Sequence, residues 1–166
     1  MDKFDSYPLR HLTPRLWHWG FTLLETMMAT AVAALLLALA IPTYGRIMDR
    51  LKVSTATQDL VRIAQEVQRY RTAHDFRLPD SLADLAGIPR QDPWGADYEY
   101  LNFSAPIPGI NGRIRKDHNL HPLNTEFDLY SKGPDGDSNS PLTSSKSRDD
   151  IIWARDGSFV GKAEDF

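Results

Sequence analysis

With 166 residues, a formal charge of −3 and no sustained run of Lys or Arg, the chain has no compositional basis for gripping phosphates, which argues against nucleic acid as a partner. It has no cysteine, so disulfides and thiolate metal sites are ruled out. The length allows one folded domain plus an appendage.

Residues 1–20 (MDKFDSYPLRHLTPRLWHWG) carry two prolines and scattered charges with no period of 3.6 or 2, and read as a tail or leader. From Phe21 to Ile41 only Thr22, Glu25, Thr26 and Thr30 are not apolar. At about 1.5 Å per residue this run makes roughly 32 Å of helix, enough to cross a bilayer once. A secretory signal peptide is the competing reading, with Ala38-Leu39-Ala40 imitating a cleavage site, but its apolar region should span only about 7–15 residues and hold no acid. Charge does not set the orientation, because Lys3, Arg10 and Arg15 before the span are matched by Arg46, Arg50 and Lys52 after it. Glu25 demands a reason: a charge near the centre of a bilayer costs about 2.5–3.5 kcal/mol, and such residues are functional suspects. The plainer reading is an acid at the lipid interface that reaches headgroups or stays protonated.

Pro42 follows the densest apolar segment and predicts a kink or unpaired carbonyls rather than a helix end. Beyond it Val53, Ala56, Leu60, Ile63, Val67 and Tyr70 recur at steps of three and four, with charges between them, so one long helix over 21–74 acquires a narrow apolar stripe in its second half. Pro79-Asp80-Ser81 with Leu82 and Leu85 predicts a short capped helix. Tyr98–Leu101 and Glu126–Tyr130 alternate as strands, and Ile151–Ala154 and Ser158–Val160 flank Asp156-Gly157 as a hairpin. A helix followed by short antiparallel strands is an α+β pattern, with a head over 75–166 whose sheet packs on the stripe.

Within the head, Asp92-Pro93-Trp94-Gly95 reads as a turn whose tryptophan covers the sheet edge. The stretch 133–148 (GPDGDSNSPLTSSKSR) has a loop's composition, yet Asp135, Asp137 and Asn139 stand at alternate positions, the opening with which a curled loop aims oxygens at a hard cation. It is not an EF-hand, since Ser140 holds the glycine's place and Lys146 the bidentate glutamate's. Asp149 and Asp150 can close such a site from the far side of the loop; the alternative is a solvated acidic loop. His118 and His121, with His74 remote, read as surface. No nucleophile elbow or phosphate-binding glycine loop is present, and the chain is read as no enzyme.

Gly20-Phe21-Thr22-Leu23-Leu24-Glu25, opening an apolar helix with a proline near its end, resembles the start of type IV pilins and pseudopilins. The resemblance implies a pilin-like fold and a leader, 1–20, cut after Gly20 by a prepilin peptidase that methylates the new amine of Phe21. It also implies a span over 21–41 in the bacterial inner membrane and a head in the periplasm. Glu25 would set register in a filament by pairing with the amine of a Phe21, an arrangement that offsets its burial. Asp92-Pro93-Trp94-Gly95 with Tyr98-Glu99-Tyr100, and Asp128-Leu129-Tyr130-Ser131-Lys132-Gly133-Pro134-Asp135-Gly136, are similar to elements of the major pseudopilins of type II secretion systems. Residues 102–125 look like an insertion against that pattern, and Arg148-Asp149-Asp150-Ile151 replaces Asp-Ala-Asp-Ile.

The resemblance implies a structural Ca²⁺ held by Asp135, Asp137, Asp149, Asp150 and the backbone carbonyl of Lys132. The implied partners are further copies of the chain in a helical filament, other pseudopilins, the prepilin peptidase and an inner-membrane assembly platform. One alternative is a type IV pilus subunit for adhesion, motility or DNA uptake, although many such pilins carry a disulfide loop. Another is a soluble periplasmic binding module released by signal peptidase at Ala40.

Overall fold

The computed structural model describes residues 20–118 and 120–166; the expected leader, apart from Gly20, lies outside them. The chain divides into two compact units, residues 1–43 and 44–166. Helix α1 is Leu23–Ala73, within two residues of the predicted bounds at each end, and it includes Pro42. All described residues of the first unit are exposed, and apolar side chains such as Leu24, Leu36 and Leu39 are not covered by any described residue. By length and composition this part of the helix can cross a membrane.

In the second unit α1 buries Ala56, Leu60, Ile63, Ala64 and Val67, with Val53 and Tyr70 partly covered, which is the predicted stripe. Against it lies a four-stranded antiparallel meander in the order β1 (Glu99–Asn102), β2 (Phe127–Ser131), β3 (Ile151–Ala154) and β4 (Phe159–Lys162). The registers pair Tyr100 with Leu129, Leu129 with Trp153, and Trp153 with Val160. Because side chains alternate across a strand, Phe127 and Leu129 of β2 and Ile151 and Trp153 of β3 face the helix. Phe127 stacks on Trp153 at 4.8 Å between ring centres. The predicted capped helix is a single tight turn, Leu82–Asp84: the Ser81 hydroxyl accepts from the Ala83 N–H at 3.1 Å, and the Asp84 carboxylate accepts from the Ser81 N–H at 2.9 Å.

β2 alternates in sequence, and four of its five residues are buried. The far face is covered by a second cluster, in which Ile152 and Ala154 meet Leu123, Leu142 and Ala163. The residues covering it come from the β1–β2 connection, which contains a one-turn helix α2 (Ile110–Arg113), from the 133–150 loop and from the C-terminus. The hairpin turn differs from a two-residue Asp-Gly loop. Arg155, Asp156 and Gly157 all take positive φ, at 51°, 55° and 93°. Asp156 is held there because its carboxylate accepts from both the N–H and the hydroxyl of Thr125, at 2.9 and 3.1 Å. A side chain on Gly157 would press on the Trp153 indole at 3.0 Å.

Since Phe127 is 1% exposed, stacked on Trp153 and tilted against Tyr100, Phe127→Ala should cost about 3–5 kcal/mol in urea unfolding of the protein in micelles. Leu36→Ala, in the unburied half of α1, should leave the midpoint of the head unchanged.

Candidate functional site

At the helix start, Leu23 and Leu24 are the first two residues of α1 and Glu25 the third. The Thr22 hydroxyl accepts the Glu25 N–H at 3.2 Å, so Thr22 caps the helix. The residues named from the sequence thus include Glu25 but miss Thr22, although Thr-x-x-Glu before an apolar run is a capping signature. Glu25 is also favoured in the first turn, where the helix dipole is positive. The remaining polar side chains of this stretch turn back on their own helix. Thr26 donates to the Leu23 carbonyl at 2.8 Å, Thr30 to the Thr26 carbonyl at 3.0 Å, and Thr43 to the Leu39 carbonyl at 2.8 Å. A helix that satisfies its own polar groups is what a lipid environment requires.

The Asp92–Gly95 turn forms as predicted, with Gly95 N–H on the Asp92 carbonyl at 3.0 Å and Trp94 packed at the margin of the main core. Asp92 does more than start the turn. Its Oδ1 accepts from the Trp94 and Ala96 N–H groups at 3.0 and 2.9 Å, and its Oδ2 accepts from the Ser131 hydroxyl at 2.5 Å. Ser131 Oγ in turn accepts from the Gly133 N–H at 3.1 Å. The turn is therefore tied to the end of β2 where the acidic loop begins.

The predicted loop acids take different partners. Asp150 points inward, is fully buried, and accepts from Arg115 Nη2 at 2.5 Å and from the Ser138 hydroxyl at 2.6 Å. Burial is the main cause that carries its carboxyl up to about 6, against the opposing pull of Arg115 and Ser138. Asp149, one residue earlier, lies against Gly133, and its Oδ2 accepts from the Asp135 N–H at 3.3 Å. Gly133 has φ 67°, and any Cβ there would collide with the Asp149 carbonyl. Asp135 Oδ1 accepts from the Asp137 N–H at 2.8 Å, and Asp137 pairs with Lys146 at 2.7 Å, which holds its carboxyl below the usual range. The Lys132 ammonium goes to Glu99 at 2.6 Å.

Among the described residues no group of three or more His, Asp or Glu is placed to hold a metal ion. As they stand, the residues do not fit the Ca²⁺ that the resemblance implies: Asp150 faces a guanidinium and Asp137 an ammonium. His118 pairs with Asp117 at 2.9 Å on the surface, and His74 stacks on Tyr70, so neither joins the loop.

Sequence reasoning missed the burial of Asp128 in β2, which accepts from the Arg115 N–H at 2.7 Å and the Asn124 amide at 3.1 Å. Burial raises its carboxyl and those two hydrogen bonds oppose the shift. Asp150→Ala would leave Arg115 buried and unpaired, and should cost about 3–5 kcal/mol in urea unfolding. Asp137→Ala, on the surface, should leave the midpoint unmoved in the same measurement.

Several proteins of similar sequence bear the same name. The type II secretion system core protein G of Pseudomonas aeruginosa is 28% identical over 138 residues, covering 70% of this chain and 84% of its own. That of Pectobacterium carotovorum is 27% identical, covering 70% and 76%, and that of Escherichia coli K12 is 25% identical, covering 71% and 83%. No family model and no solved structure matches the chain. The likeness seen at Gly20–Glu25 and Asp92–Gly95 thus extends over most of the chain, which resembles the core protein G of type II secretion systems.

Proposed function

We propose that this chain is a structural subunit of a type II secretion pseudopilus, a filament built by stacking apolar helices that helps drive protein export across the outer membrane. The observation that carries this reading is the contrast within α1. Its second half is buried on a complete head, while its first half, apolar and long enough to span a membrane, is wholly exposed. Surface of that kind needs lipid before assembly and other helices after it. The similarity to core protein G assigns the assembly to secretion rather than to an adhesive or motile pilus. No catalytic chemistry is needed; the chain is a substrate of a peptidase, not an enzyme.

In this reading residues 1–20 are the leader, Gly20 and Phe21 flank the cut, Phe21 is methylated, and 21–41 anchors the chain in the inner membrane with the head in the periplasm. Gly20 supports it in one respect: a Cβ there would meet nothing within 4 Å, so local packing gives no reason for glycine. Glu25 sets register through the Phe21 amine of a neighbouring copy, and Pro42 belongs to the segment that repacks on assembly. The partners are further copies, other pseudopilins, the prepilin peptidase and an inner-membrane platform. Calcium would add a staple at Asp135, Asp137, Asp149, Asp150 and the Lys132 carbonyl, but Asp137 is paired with Lys146 and Asp150 Oδ2 with Arg115, while Asp150 Oδ1 is buried with no hydrogen-bond partner.

Mass spectrometry of the mature protein should find N-methyl-Phe21 as its first residue; an N-terminus at Ile41 would instead identify a released soluble module. Gly20→Val should block shortening on an immunoblot, because a branched side chain clashes where the peptidase needs a small one. Glu25→Ala should be cleaved normally yet form no filaments under electron microscopy, and filaments at normal yield would remove the register role.

A further inference from the structure

The β1–β2 connection does more than bridge two strands, because it delivers a buried cation to the acidic loop. Its residues 112–116 are stitched to that loop along the backbone. The Lys116 N–H donates to the Ser140 carbonyl at 3.1 Å, the Leu142 N–H to the Lys116 carbonyl at 2.9 Å, and the Ser140 hydroxyl to the Gly112 carbonyl at 2.8 Å. Arg115, in the middle of this seam, has a side chain only 3% exposed. Its guanidinium lies over the Tyr130 ring at 4.1 Å, donates from Nη1 to Ser138 Oγ at 2.6 Å, and from Nη2 to Asp150 Oδ2 at 2.5 Å. Ser138 closes the triangle by donating its own proton to Asp150.

We infer that Arg115 is the built-in cation of the 133–150 loop, taking at Asp150 the place that the resemblance implies for calcium, so that this head is ordered without a metal ion. The geometry suits arginine in particular. A planar fork reaches Ser138 and Asp150 together while its face rests on an aromatic ring, and a lysine ammonium can do neither as well. A divalent ion entering at Asp150 would meet a like charge already bonded to the same carboxylate. The other loop acids have partners of their own: Asp137 has Lys146, Asp135 the Asp137 N–H, and Asp149 the Asp135 N–H. The segment 102–125 thereby gains a purpose, whether or not the chain assembles into a pseudopilus.

The test is thermal unfolding of the full chain in detergent micelles, followed by near-ultraviolet circular dichroism, in calcium and in EGTA. The two wild-type midpoints should coincide, whereas an ion bound at a hundred times its Kd would separate them by roughly 10 °C or more. Arg115→Met should lower the midpoint by roughly 10 °C or more in either buffer, and Arg115→Lys should recover only part of that loss. A wild-type midpoint raised by calcium, or an Arg115→Met chain as stable as wild type, would overturn the inference. Should Arg115→Met fail to fold, terbium luminescence sensitised by the wild-type tryptophans decides: no calcium-displaced signal supports Arg115 as the cation, and a displaced signal sinks it.

Discussion

Everything in the head depends on covering one narrow stripe. Ala56, Leu60, Ile63 and Val67 lie on a single face of α1 and are completely buried, while the opposite face stays exposed. At about 25 cal/mol for each Å² of apolar surface, a stripe this narrow gains most when its partner is flat and apolar along its length. Phe127, Leu129, Ile151 and Trp153 supply that surface, and the pairing of Leu129 with Trp153 brings them onto one face. Slipping the register by one residue would turn Asp128 and Tyr130 toward the helix, so burial of the stripe also fixes the strand alignment.

A four-stranded sheet has a second face, and among the described residues no long helix covers it. Irregular chain covers it instead, which brings backbone groups and polar side chains into the interior and obliges each to find a partner. Asn124 shows how this is met. Its amide donates to Asp128 and to the Trp153 carbonyl at 3.1 and 3.0 Å, while its own oxygen accepts from the Asp156 N–H at 3.0 Å. One side chain thus joins the β1–β2 connection, β2, β3 and the β3–β4 turn. Arg115 and Asp150 pair on the side of the acidic loop, where a buried charge needs a buried counter-charge, although Arg115 Nε and Asp150 Oδ1 keep no hydrogen-bond partner.

The exposed half of α1 obeys a different solvent. Its threonines return their hydroxyls to the helix backbone and its leucines face outward, the inverse of what the head does with the same residue types. This chain has to satisfy both regimes within one helix. The change of pattern between Pro42 and Val53 is where one gives way to the other.

What the sequence determined by itself was whatever depends on local period and on neighbouring residues. The bounds of α1, its stripe, the four strands to within a residue or two, the Asp92–Gly95 turn and the Gly20–Glu25 element are all carried by spacing that a linear reading detects. Thr22 was legible in the same way, as the residue three before Glu25 at a helix start. Asp150 was not, because its orientation is decided by Arg115, 35 residues away in a stretch with no period at all. Nor was the burial of Asp128, since alternation in β2 reports two faces but not that loops will cover the outer one. Partners so distant are chosen by chain packing in three dimensions, and only the tertiary structure could decide that the charge facing Asp150 is a side chain of the same molecule.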